Sequence, residues 1–248
     1  MRTFKIRLAQ RAVLLPAAFA AAALLVSYLC VFFQAGALFE GAFLPRSQDV
    51  DGAVHYKGSA FGAPVSVTVL GNSRTDGDAI VRYATGGRTL AYEVRLEAAD
   101  ALETWRAQIL QDGETVFRGV YRPGAQGDAF ALVDENDEPD WNALLSFTVN
   151  GESPFTADYR PGYLTTVRFA DRSIDTQRGN PVFLVLAVLV LLVTLVDWRF
   201  PRLFFALSHA LSVRDPQPTD LYLFVQKLSW AALPAFAVIL LIAGLFVR

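Results

Sequence analysis

Hydrophobic and polar positions are distributed very unevenly along the chain, which contains three long stretches without a charged residue. These stretches are residues 12–39, 181–196 and 228–247. A helix needs about 20 mostly apolar residues to cross a hydrocarbon core of about 30 Å. The pattern therefore predicts three transmembrane helices and a multi-pass protein of the cell membrane.

The first apolar stretch has two interpretations, an uncleaved anchor and a cleavable signal peptide. A basic segment at residues 2–11 precedes it, and the small residues Ala35 and Ala37 near its end resemble a cleavage site. The apolar core of a signal peptide is about 7–15 residues long. This stretch is longer, which favours the anchor.

The distribution of basic residues predicts the orientation of the spans. The N-terminal segment carries Arg2, Lys5, Arg7 and Arg11 and no acidic residue. Because Lys and Arg collect on the cytoplasmic side of membranes, the N-terminus is expected inside. Three spans then place the long middle segment outside and the loop between the second and third spans inside.

Between residues 50 and 170 the apolar positions alternate with period two, which is typical of β-strands. A Gly-Gly pair at residues 86–87 suits a two-residue hairpin turn. That turn predicts a register with Tyr83 opposite Leu90 and Val81 opposite Tyr92. The large apolar pairs then share one face, so the turn and the pattern agree.

A second hairpin is predicted around the Asp-Gly pair at residues 112–113. A two-residue turn there places Ile109 opposite Val116 and Trp105 opposite Val120. Further strands are expected at residues 53–58, 64–70, 128–134, 143–149 and 163–170.

The second hairpin has apolar residues on both faces. In the predicted register Arg118 shares the face of Ile109, whereas Phe117 and Tyr121 lie on the reverse face. Two partly covered faces are typical of a sandwich or a barrel. We therefore expect an all-β domain of about eight or nine antiparallel strands with meander connections.

The charge and cysteine content limit the partners and the source of stability of this domain. Residues 40–178 contain 13 Lys and Arg against 21 Asp and Glu, a formal charge of −8. Such a domain is an unfavourable partner for nucleic acid or anionic lipid. The only cysteine, Cys30, lies in the first apolar stretch. No intramolecular disulfide can form, so the domain must depend on its own core.

Candidate catalytic or metal-binding chemistry is sparse. The acidic run at residues 134–140 has the oxygen ligands that calcium prefers, but Pro139 interrupts the spacing of a calcium-binding loop. A solvated hairpin turn is the favoured interpretation of this run. His55 and His209 are expected on opposite sides of the membrane and cannot share a metal ion. No catalytic, cofactor-binding or metal-ligating residue is predicted, and no cofactor.

The polar segment between the second and third spans can be placed from its prolines. Residues 202–214 have an amphipathic pattern that predicts a helix in the inner interface. Two prolines, Pro216 and Pro218, then prevent that helix from continuing. Thr219 is suited to cap the next helix, and Asp220 is favourable in its first turn. The segment is thus predicted to be a cytoplasmic turn between an interfacial helix and the third span.

The same segment carries a family resemblance. Residues 200–230 read FPRLFFALSHALSVRDPQPTDLYLFVQKLSW. They resemble a small domain of unknown function in bacterial membrane proteins, largely from Firmicutes. In that family two membrane helices are joined by an aromatic-rich helix and a Pro-x-Pro-[Ser/Thr]-[Asp/Glu] turn, which Pro216, Pro218, Thr219 and Asp220 match. The resemblance implies a multi-pass bacterial membrane protein and brings no known activity.

Together these patterns predict an α+β membrane protein in three parts. Residues 1–39 form the N-terminal anchor, residues 40–179 the extracytoplasmic antiparallel β domain, and residues 180–248 two spans joined by the cytoplasmic turn. The expected function is non-enzymatic, namely a membrane-anchored binding or envelope-structural protein. Its protein partner would contact the β domain or the membrane helices. The alternative is an accessory subunit of a membrane transport or signalling complex, which would contact its partner through the Thr219–Asp220 loop.

Overall fold

The computed structural model of the protein describes residues 19–20, 22–99, 103–125, 127–139, 154–156, 158–201, 203–209 and 219–247. The chain divides into two compact units. We call Gln34–Gln177 the sheet unit. We call Met1–Phe33 together with Arg178–Arg248 the helical unit.

The strands of the sheet unit are β1 (Ala35–Phe39), β2 (Ala42–Gln48), β3 (Val54–Ala60), β4 (Ala63–Gly71), β5 (Asp78–Thr85), β6 (Arg88–Ala98), β7 (Trp105–Gln111), β8 (Glu114–Tyr121), β9 (Leu132–Asp134) and β10 (Asp175–Gln177). They form one ten-stranded antiparallel sheet in the order β10-β1-β2-β3-β4-β5-β6-β7-β8-β9. Nine of the strands follow one another as a meander, and β10 pairs with β1. In the described ranges β9 and β10 do not pair with each other. The strands therefore form a single sheet, neither the two sheets of the predicted sandwich nor, within those ranges, a closed barrel.

The register predicted for the first hairpin is confirmed. Tyr83 of β5 lies opposite Leu90 of β6, and Val81 lies opposite Tyr92. The turn between the strands consists of Gly86 and Gly87. Both have positive φ, as the type I′ turn of a two-residue hairpin loop requires.

The register predicted for the second hairpin is wrong by one residue over most of its length. Ile109 of β7 lies opposite Phe117 of β8, because a β-bulge follows the Leu110–Thr115 pair. Val116 is the extra residue of the bulge, and it shifts every later residue of β8 to the other face. Phe117 and Tyr121 consequently point to the core side.

Two segments have a different structure from the one predicted. Residues 163–170, predicted as a strand, form helix α2 (Tyr163–Ala170), so the domain is not all-β. Residues 35–39, predicted within the first span, form β1 and turn into β2 through Glu40 and Gly41. Residues 128–134 begin with a 3-10 turn (Asp128–Phe130) before β9. The strand predicted at residues 143–149 lies outside the described residues.

Helix α2 packs on strands β4, β5 and β6 and completes the core of the sheet unit. Its Phe169 is fully buried and lies against three rings of the sheet. The ring centroids are 6.1 Å from Phe39, 5.1 Å from Tyr56 and 6.0 Å from Tyr83. The tertiary contacts of this aromatic cluster stabilise a helix that is only eight residues long.

Buried polar contacts hold the middle of α2 and the segment just after its C-terminal end. The Tyr83 hydroxyl and the Thr166 Oγ1 are 3.0 Å apart, and burial raises the pKa of Tyr83 well above its usual range. Just beyond the helix, Asp171 Oδ2 lies 3.0 Å from the guanidinium of Arg74. The same oxygen accepts a hydrogen bond of 3.1 Å from the Tyr121 hydroxyl. The side chain of Asp171 is fully buried, so its carboxyl oxygens depend on these donors for hydrogen bonds.

The helical unit contains helices α1 (Ala22–Phe32), α3 (Pro181–Arg199), α4 (Leu203–His209) and α5 (Asp220–Ala243). Two of them, α3 and α5, are long and apolar enough to cross a membrane. Within the described residues α1 is shorter, so the first of the three predicted spans is not shown.

Hydrogen bonds connect three helices at one end of the helical unit. The Gly179 amide donates to the Phe32 carbonyl at 2.9 Å, and the Asn180 amide donates to the Gly244 carbonyl at 2.8 Å. The Tyr28 hydroxyl donates to the Leu241 carbonyl at 3.0 Å. The C-terminal ends of α1 and α5 therefore meet the N-terminal end of α3.

Candidate functional site

A groove lies on the outward face of the sheet unit, on the side opposite α2. It has a volume of about 340 Å³ and is formed by strands β6, β7 and β8 and the turn after β9. We call it the arginine groove. Its charged and amide side chains are Arg95, Glu97, Arg106, Gln108, Arg118 and Glu135.

The strand register places these side chains in two adjacent rows. Arg95, Gln108 and Arg118 are cross-strand neighbours in one row. Glu97 and Arg106 are neighbours in the next row. Because adjacent strands are about 4.8 Å apart, the backbones of Arg95 and Arg118 are about 10 Å apart, with Gln108 between them.

The β-bulge in β8 explains why the groove forms at this place. The bulge between β7 and β8 turns Arg118 outward, into the row of Gln108. Gly119 follows, and a Cβ atom at this position would lie 2.0 Å from the Val133 carbonyl oxygen. Only glycine allows β9 to approach β8 this closely.

The turn after β9 carries Glu135 to the rim of the groove. Asp134 Oδ1 accepts hydrogen bonds from the amides of Asn136 at 2.8 Å and Glu138 at 2.9 Å. These donors, first that of Glu138, hold the pKa of Asp134 below its usual range. Residues 134–138 of the acidic run thus form a turn, as the sequence predicts, and this turn positions Glu135 beside the groove.

The three arginines differ in their contacts. Arg95 donates to Glu93 Oε1 through Nε at 2.7 Å, a local contact within β6. Arg118 Nη1 is 3.8 Å from Glu135 Oε1, and both side chains are more than 60% exposed. Arg106 is exposed and, in the described part of the chain, forms no ion pair, although Glu97 lies opposite it.

A second polar cluster lies in the helical unit, between α3 and α5. Asp197 accepts hydrogen bonds from Gln226 Nε2 at 2.8 Å and from Trp230 Nε1 at 2.7 Å. Gln226 Nε2 also donates to the Pro201 carbonyl at 2.6 Å. These bonds satisfy the carboxylate of Asp197 and join the end of α3 to the start of α5.

The structure places two of the four predicted motif residues. Thr219 caps α5 as predicted, since its side chain accepts a hydrogen bond from the Tyr222 amide at 3.3 Å. Asp220 begins the first turn of α5. Pro216 and Pro218 lie outside the described residues. The role of this loop in partner binding stays a prediction.

The histidines do not form a candidate metal site among the described residues. His55 Nδ1 is 3.0 Å from Thr68 Oγ1, and His55 Nε2 is 2.8 Å from Asp49 Oδ2, on the face of the sheet away from α2. The side chain of His209 lies outside the described part. Among the residues that the structure describes, no group of three or more His, Cys, Asp or Glu could hold a metal ion.

The sequence contains a signal for the arginine groove that depends on register. Charged or amide residues occupy alternate positions in the second half of β6 and the first half of β7, at Glu93, Arg95, Glu97, Arg106 and Gln108. The predicted register placed Arg118 on the face of Ile109, the core face, and so removed it from this set.

Comparison with known proteins gives one partial match. DUF6199, a family of unknown function, matches residues 186–244. This segment includes most of α3, all of α4 and α5, and the Asp197 cluster. Neither the curated proteins nor the solved structures contain a match to the chain. The C-terminal helices are therefore similar to a domain of unknown function, over less than half of the chain.

Proposed function

We propose that this protein is a membrane-anchored binding protein, held by the helical unit, whose sheet unit binds a ligand or partner outside the cytoplasm. The role is non-enzymatic. The ligand contacts the arginine groove. The observation that carries this assignment is the presence of three arginine side chains around one groove on the outward face of the sheet.

The exposure of α3 and α5 supports the membrane anchor. Only 11% of the most apolar part of each helix is buried. A core helix of a soluble protein would be mostly buried, whereas lipid solvates such apolar faces. Asp197 is paired, as expected of an ionisable group near a membrane.

The contacts of α1 support a retained first span over a cleaved signal peptide. Phe32 is fully buried, and a Cβ atom at Gly179 would lie 2.1 Å from its ring. Tyr28 of α1 bonds to α5. Removal of α1 would expose these surfaces, so we assign it to the anchor. The basic residues before it then support a location of the sheet unit outside the cytoplasm.

The binding role can be tested by photo-crosslinking in intact cells. A benzophenone amino acid at position 108 lies in the groove, and the same residue at position 82 lies on the outward face of β5, away from the groove. We expect a light-dependent adduct from position 108 and none from position 82. Absence of adducts at position 108, or equal adducts at both positions, would contradict a binding role for the groove.

A further inference from the structure

We propose that the arginine groove binds a phosphate group, carried by a small molecule or by a lipid headgroup. This proposal rests on the binding role given above and names the chemistry of the ligand. It follows from the number of guanidinium groups, their contacts and the charge of their surroundings.

The number of guanidinium groups matches phosphate better than carboxylate. One guanidinium can satisfy both oxygens of a carboxylate through two parallel hydrogen bonds. Arg95, Arg106 and Arg118 approach the same groove from three neighbouring strands. Three planar donor groups suit the greater number of oxygens and the greater charge of a phosphate. The volume of about 340 Å³ holds such a group with its attached substituents.

The donors are available to a ligand. Arg106 has no acidic partner within the described ranges, and the Nη1 atom of Arg118 is 3.8 Å from Glu135 Oε1. Arg95 is bonded to Glu93 on its own strand, an exposed pair that contributes little to stability. Gln108 lies between the two outer arginines, with its Nε2 atom 2.8 Å from Thr115 Oγ1.

The charge of the surroundings restricts the ligand to a single anionic group. Residues 40–178 carry a formal charge of −8, so an extended anionic surface is repelled beyond the groove. Within the groove, three arginines exceed Glu97 and Glu135. Local attraction acts over about 8–10 Å at physiological salt, which is the scale of the groove.

The test is titration of the purified full chain in zwitterionic nanodiscs, observed by phosphorus NMR of the added probe. One arm uses inorganic phosphate and the other uses glycerophosphoglycerol, a lipid headgroup analogue. We expect saturable binding of at least one probe. The probe with the lower Kd identifies the source as a free phosphate or a headgroup.

Substitutions in the groove give the matched comparison. In the double variant Arg95→Gln/Arg118→Gln we expect Kd to rise about tenfold or more, because charge-assisted hydrogen bonds are lost. Arg82→Gln removes an exposed arginine from the same face outside the groove and should leave Kd unchanged. Glu97→Gln removes a competing carboxylate and should lower Kd.

Two results would overturn the proposal. One is the absence of saturable binding of either probe to the wild-type chain, and the other is an equal Kd in all variants. A crosslink from position 108 without phosphate binding would refute the ligand class and leave the binding role standing. Phosphate binding without a crosslink would refute a cellular partner at the groove and leave its anion chemistry standing.

Discussion

Replacement of Phe169 by alanine is expected to lower the free energy of unfolding of the sheet unit by about 4 kcal/mol, the middle of the range for buried Phe→Ala substitutions. The ring is fully buried and contacts Phe39, Tyr56 and Tyr83. Its removal leaves a cavity between α2 and the sheet. The measurement is urea denaturation of the full chain in detergent, followed by the circular dichroism of the β-structure.

The control for this prediction is Phe130→Ala, since the Phe130 side chain is 61% exposed. It should change the free energy of unfolding by less than about 0.5 kcal/mol, as exposed substitutions usually do. Equal effects of the two substitutions would mean that α2 does not pack on the sheet.

Replacement of Asp171 by alanine is expected to cost about 3 kcal/mol, the lower end of the range for a broken buried ion pair. The change leaves Arg74 without its carboxylate and Tyr121 without its acceptor. Arg74 is 35% exposed, so water can solvate part of its charge. The same urea denaturation measures the effect.

Two further variants define the cause. Asp171→Asn keeps an acceptor for Tyr121 and loses only the charge, so its cost should be intermediate. Asp49→Ala removes a carboxylate that lies beside His55. The Asp49 side chain is 65% exposed, so its loss should cost less than about 1 kcal/mol. If Asp171→Ala were as mild as Asp49→Ala, the buried pair would contribute no net stability.

The two hairpins show what a sequence specifies about a sheet and what it does not. Turn dipeptides and apolar alternation predicted the β5–β6 register because that hairpin has no irregularity. The β7–β8 hairpin has a comparable turn, but its bulge adds a residue that no turn dipeptide announces. The indication was indirect, since Arg118 fell on an apolar face while Phe117 and Tyr121 did not. The extra residue of the bulge moves Arg118 to the outward face and moves Phe117 and Tyr121 to the core face.

Local composition also misassigned α2 and β1. The α2 segment is rich in β-branched and aromatic residues, and it forms a helix because Val167 and Phe169 fit the core of the sheet. Tertiary contacts thus outweigh weak local preference. Strand β1 continues an apolar run that also contains α1, so hydropathy alone cannot separate the two. The Glu40–Gly41 turn after it was the available signal.

The candidate site was less predictable than the fold. Its arginines are ordinary surface charges in the sequence, and they form a groove only through the β8 bulge and the close approach of β9 at Gly119. The cap at Thr219, in contrast, depends on a local hydrogen bond and was predictable from the prolines and the hydroxyl alone.

The most direct test of the proposed topology is thiol labelling of intact cells with a membrane-impermeant maleimide. Single cysteines are introduced as Ser59→Cys, an exposed residue of β3, and as Gln217→Cys, between α4 and α5, in a Cys30→Ala background. We predict labelling at position 59 in intact cells and labelling at position 217 only after permeabilisation. Labelling at position 217 but not at position 59 in intact cells would place the sheet unit in the cytoplasm and contradict the proposal.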